Sequence, residues 1–168
     1  MKKSIVLPIL FLFAAFSFSC KEASSTAPKV IIDTQFSSKE MALEVMQKHL
    51  DAISNRDLKT LESTLSPEGN MQLILPGTEI IEKTSGFIDY HREWFKTTNW
   101  TIDSKILNSE VGESLATTVV ESVYKEPKRD GKPYFNRMHV SYVLKKIDNK
   151  WFVIKDHMAS VQKSTDIK

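Results

Sequence analysis

Helical spacing begins at residue 37. Ser37 and Glu40 stand in a capping-box pattern, and Ala42, Met46, His49, Leu50 and Ile53 then recur three and four apart, which predicts an amphipathic helix. Asn55 and Asp57 offer caps for a second, shorter helix with Leu58, Leu61 and Leu65 on one face, ended by Ser66-Pro67-Glu68-Gly69. Met71 to Leu75 reads as a short strand closed by Pro76-Gly77, with Glu79-Ile80-Ile81 returning beside it. Thr84 or Ser85 caps a third helix running to about Lys96, with Phe87, Tyr90, His91, Trp94 and Phe95 on its inner face.

From residue 100 the period becomes two. Trp100, Ile102, Ser104 and Ile106 alternate with Thr101, Asp103, Lys105 and Leu107. A Thr- and Val-rich strand follows at about 114–125. The segment Pro127 to Pro133 is a hairpin loop turned by Asp130-Gly131, a strand covers 134–146, Asp148-Asn149 turns again, and a last strand runs from Trp151 to about Ala159. Helices first and a meander afterwards indicate an α+β domain, with a curved antiparallel sheet and helices against one face.

The N-terminal segment is of another kind. Lys2 and Lys3 precede an apolar run from Ile5 to Phe18, then Ser19 and Cys20, the order of a secretory signal peptide. The run is shorter than the ~20 residues a bilayer span needs. A lone cysteine directly after the cut resembles the lipobox of bacterial lipoproteins, which implies lipidation of Cys20 and a place in the bacterial cell envelope, on the outer-membrane or periplasmic side. Residues 1–19 are then the signal, 20–36 the lipidated cysteine and a small, polar tether, 37–162 the folded domain, and 163–168 a tail.

Composition narrows the partners. The chain carries 23 basic and 21 acidic residues, and Lys2 and Lys3 account for the excess. The remainder is neutral apart from histidines and offers no broad attraction to nucleic acid. With Cys20 lipidated no thiol is left for a disulfide, so stability rests on the core. The four histidines have no zinc spacing and no cysteine partners, and no nucleophile elbow, phosphate loop or dinucleotide fingerprint occurs, so neither a metal nor a cofactor is expected.

Three stretches carry a family likeness: the step Ala52-Ile53-Ser54-Asn55-Arg56-Asp57-Leu58 between the first two helices, Gly86 to Phe95 followed closely by Trp100, and Asp148-Asn149-Lys150-Trp151 leading to Asp156-His157. Together, in this order, they resemble the SnoaL-like branch of the nuclear transport factor 2-like superfamily over about residues 39–160. The resemblance implies a cystatin-like cone, a sheet wrapped on three N-terminal helices around a pocket. It also implies frequent dimerisation, while the superfamily spans enzymes, association domains and transport factors.

Alternation puts Phe152, Ile154, Asp156 and Met158 on one face of the last strand and Trp151, Val153, Lys155 and His157 on the other, so Asp156 and His157 do not form a dyad unless a bulge intervenes. Asp156 is the candidate general base, or else a carboxyl bonded at a strand end. His91 is the second candidate, as ligand contact or acid, or else a satisfied core residue. Trp94 and Trp100 would stack on a flat ligand or simply pack. Tyr124 and Tyr142 would direct hydroxyls inward, while His49 reads as structural and His139 as solvated. Both faces of the last strand are apolar near its start, so a homodimer, or residues 160–168, covers the outer face. Three functions stand open: a binder of a small apolar or aromatic molecule, an isomerase-, dehydratase- or cyclase-type enzyme, and an assembly module without a ligand.

Overall fold

The computed structural model describes residues 37–166, and the signal, Cys20 and tether readings lie outside them. Helix α1 spans Ser38–Asn55. Its capping box forms as spelled, with Glu40 N donating to Ser37 Oγ at 3.2 Å and Ser37 N to Glu40 Oε2 at 2.6 Å. Arg56 closes it in the left-handed region at φ 57°. Helix α2, Leu58–Ser63, is capped by Asp57, and Leu65 falls beyond its end in a parallel bridge to Val153. Helix α3, Thr84–Trp94, has no side-chain cap: Lys83 holds the N-cap position, and the Thr84 hydroxyl donates to Ser66 O instead. None of these helices is long and apolar enough to cross a membrane.

The strands are β1 Gln72–Ile74, β2 Ile80–Glu82, β3 Thr101–Val111, β4 Leu115–Arg129, β5 Lys132–Ile147 and β6 Lys150–Lys163. They form one sheet in the order β2-β1-β6-β5-β4-β3. The sheet is mixed rather than wholly antiparallel, because β1 runs parallel to β6. No hairpin joins those two strands, so nothing local dictates their direction. The long strands are joined by tight connections. The expected loop Pro127 to Pro133 shrinks to the two residues Asp130-Gly131, and β5–β6 turns on Asp148-Asn149, all four with positive φ, as two-residue turns matched to strand twist require. The chain after Lys163 is not loose throughout: Ser164–Asp166 make a 3₁₀ turn, and Ser164 Oγ accepts from Phe135 N.

The ladders are interrupted at four places, one of them between Glu126 and Arg129 beside the β4–β5 turn. Leu107, Ile154 and Val161 are each skipped in the pairing of their strands. A residue inserted into one strand bends and twists it. At Ile154 the consequence is also one of facing: Trp151 and Val153 are buried, Ile154 and Lys155 are not, and Asp156 is buried again. Asp156 and Met158 therefore share the inner side with Trp151 and Val153, and Phe152 and Ile154 turn outward, the reverse of the grouping that strict alternation gives. The core lies between this inner face and the helices, around Met46, Leu61, Leu73, Phe87, Val140 and Leu144.

Candidate functional site

The inner face of the sheet is not filled by the helices along its whole length. Between α1, α3 and strands β3 to β5 lies a cavity of about 310 Å³. Leu50 and Ile53 reach it from α1, Tyr90, His91 and Trp94 from α3, and Ile102, Met138, Val140 and Tyr142 from the sheet. Each sheet residue points there because it belongs to the inward set of its strand: Met138, Val140, Tyr142 and Leu144 are buried while His139 and Ser141 are exposed.

Of the residues singled out from sequence, His91, Trp94, Tyr124 and Tyr142 line the cavity. Trp100 does not. It stacks behind Trp94 with ring centroids 4.3 Å apart and an interplanar angle of 14°, so it backs the wall. His157 is exposed and stands beside Ser141 on the outer face. Asp156 is fully buried but does not line the cavity; it sits between Leu73 and Tyr142 in the sheet. Burial pushes its carboxyl up to about 8, and neither oxygen has a hydrogen-bond partner among the described residues. A neutral carboxylic acid walled off from the cavity cannot act as base on a ligand held there. No described group of His, Cys, Asp or Glu could hold a metal ion.

His91 is enclosed between rings, with Phe87 at 4.0 Å and Tyr90 at 5.3 Å between centroids. Its Nδ1–H donates to Phe87 O at 2.9 Å, which leaves Nε2 bare and without a partner among the described residues. Burial lowers its pKa to about 4, so the ring is neutral at pH 7. His49 is structural, as expected. Its Nδ1–H donates to Thr64 Oγ1 at 2.7 Å, whose own hydroxyl proton goes to Leu61 O at 2.6 Å, and its pKa falls to about 3 through burial and the nearby His91.

Sequence reasoning passed over the polar part of the wall. Ser104 and Ser122 face one another across β3 and β4 with hydroxyls 2.8 Å apart, and Asn136 lies opposite Tyr124 on β5. All three line the cavity. The signal was present, since Asn136 belongs to the same alternating set as Met138 and Val140. At the rim, Tyr124 OH donates to Glu126 Oε1 at 2.6 Å, Arg129 binds the same carboxylate through Nε at 3.0 Å and through Nη2, and its guanidinium lies 3.5 Å over the ring of Tyr134. Burial first, then Glu126, pushes the Tyr124 phenol up to about 12.

Solved structures with this architecture are numerous and distant in sequence. A hexachlorocyclohexane dehydrochlorinase is 11% identical at a TM-score of 0.65, over 76% of this chain and 87% of that one. A ketosteroid isomerase-like protein from Erwinia carotovora atroseptica is 12% identical at 0.62, over 73% and 95%. The association domain of C. elegans CaMKII is 23% identical at 0.55, over 72% and 94%. At such identities the likeness concerns the fold alone. No curated protein matches the sequence significantly. The family match is direct: residues 42–162, most of the chain and nearly all of the described fold, match the SnoaL-like domain, and the chain belongs to that family.

Proposed function

We propose that this protein binds a small, largely apolar or aromatic molecule in the cavity between α3 and the sheet. One observation carries the reading: the cavity of about 310 Å³ is walled by aromatic and aliphatic side chains with a few placed polar groups. Sites for small molecules have that character. The test is native mass spectrometry of the full chain purified from its host, together with titration of naphthalene followed by ligand-observed NMR. A co-purifying molecule or saturable naphthalene binding supports the reading. The absence of both a co-purifying molecule and naphthalene binding overturns it.

An enzymatic reading has one observation in its favour, the bare Nε2 of His91 at the cavity wall. Against it, a pKa of about 4 makes His91 a weak base, and the carboxyl of Asp156 does not reach the cavity. Binding without turnover fits the geometry better.

The domain is proposed to stand on a lipid anchor at Cys20 in the bacterial cell envelope, since a diacylated cysteine supplies the roughly two chains that stable anchoring takes. Cys20→Ala should release the protein from membranes, and unchanged membrane association would exclude the anchor. A homodimer through the outer sheet face is proposed as well. The exposed Val161 and the half-buried Phe152 and Ile154 on that side support it, as does the presence of an association domain among proteins of the same fold. A monomer in sedimentation velocity at micromolar concentration would exclude it.

A further inference from the structure

The cavity's hydrogen-bonding groups are not in balance. Asn136 is 9% exposed, lines the cavity, and its Oδ1 has no hydrogen-bond partner among the described residues. A buried amide oxygen left unpaired keeps its full desolvation penalty, so an acceptor in that state calls for a donor. The facing pair Ser104 and Ser122 has the complementary surplus. Two hydroxyls 2.8 Å apart use one O–H between them, and the other has no acceptor among the described residues.

Register puts these groups within reach of one another. Ser122 pairs with Met138 and Tyr124 with Asn136, so Asn136 and Ser122 are diagonal neighbours on the inward face of adjacent strands. Diagonal positions are roughly 7–8 Å apart, and side chains reaching in from both leave a gap that one oxygen atom can span. That atom must accept from the serine pair and donate to Asn136.

Charge selects among the candidates. Among the described residues lining the cavity, Arg129 alone is permanently charged, and its guanidinium is already held by Glu126 through two nitrogens and laid over Tyr134. A carboxylate or phosphate would have to displace Glu126 to find a cation, and it brings no proton for Asn136 Oδ1. An amine would enter with a charge and no counter-ion.

We propose that Asn136, Ser122 and Ser104 form a polar subsite for an uncharged hydroxyl, so that the cavity takes neutral aromatic or alicyclic alcohols and phenols whose apolar body lies against Trp94, Val140 and Tyr142. The inference rests on the cavity being a binding site and names the class of molecule it takes.

The experiment compares 2-naphthol with naphthalene on the full chain by ligand-observed NMR. The wild type should bind 2-naphthol at least ~10-fold more tightly, in line with the discrimination a site built around a hydroxyl achieves. Asn136→Leu should bring the two affinities together, and its far-UV spectrum and cooperative urea unfolding show that the variant is folded. The milder pair Ser104→Ala with Ser122→Ala should lose part of the preference. Equal affinities in the wild type, or a preference that survives both variants, overturns the hydroxyl subsite and leaves the binding function standing. Binding of neither probe overturns both.

Discussion

Tyr142 and Asp156 face one another directly across β5 and β6, and both are buried. Burial, and the nearness of Asp156, hold the Tyr142 phenol well above its ordinary range. The same burial raises the Asp156 carboxyl to about 8 and lowers His49 and His91 to about 3 and about 4. At neutral pH the enclosed groups are thus all uncharged, the state that a low-dielectric interior favours.

Stability should peak near pH 6.5. The carboxyl of Asp156 moves from 3.8 to about 8 on folding, so its proton is held by the folded state, and the stability this gives is complete below 3.8 and lost as pH rises through 8. The histidines have the opposite sign. Their pKa falls from 6.5 to about 3 and about 4, so their contribution is complete above 6.5 and lost as pH falls through those values. Between about 4 and 6.5 unfolding takes up two histidine protons and releases one from Asp156, and stability rises with pH. From 6.5 to about 8 only the Asp156 proton is exchanged, and stability falls by at most about 1.4 kcal/mol per pH unit. Urea unfolding across pH 4–9 reads this directly. Asp156→Asn should abolish the alkaline fall, and a variant curve parallel to the wild type would refute the assignment.

How far these features were legible from sequence follows from how local each one is. The α1 stripe from Ala42 to Ile53, the Ser37–Glu40 cap and the two turns are written in neighbouring residues, and they formed where the spacing placed them. The parallel pairing of β1 with β6 joins segments some eighty residues apart and has no local mark. The facing of Asp156 depended on a single inserted residue. Phe152 and Ile154 are as apolar as Trp151 and Val153, so alternation alone gave no reason to suspect a bulge between Val153 and Lys155. Trp100 shows the converse: sequence left it either stacking on a ligand or simply packing, and ring stacking on Trp94 decided for packing.

Arg56 ties the end of α1 to the cavity wall. Its guanidinium carbon lies 3.9 Å over the Trp100 ring, while its nitrogens donate to the carbonyls of Thr97 and Thr98, each at 3.4 Å, and of Trp100. Trp100 in turn backs Trp94, which lines the cavity. Lysine keeps the charge but not the planar fork that serves three carbonyls and a ring at once. Arg56→Lys should cost about 1–3 kcal/mol in urea unfolding. It should also weaken naphthalene binding several-fold and shift tryptophan emission. Wild-type stability together with wild-type affinity would show that the loop from Thr97 to Trp100 holds itself in place.

The bulge at Ile154 permits a test that separates curvature from facing. Leu144 pairs with Val153 and Val143 with Lys155, so Ile154 is the residue the ladder skips. Deleting it joins Val153 to Lys155 in plain register and leaves Trp151, Val153, Asp156 and Met158 facing inward. What the deletion removes is one half-buried side chain and the local bend. The variant should unfold cooperatively, with a far-UV spectrum like the wild type, because the inward set is intact. Its cavity should be altered, because β6 runs straighter beside Tyr142, and naphthalene affinity should fall several-fold. A deletion chain that does not fold, or one that binds naphthalene as the wild type does, would count against the bulge as the device that curves this end of the sheet around the cavity.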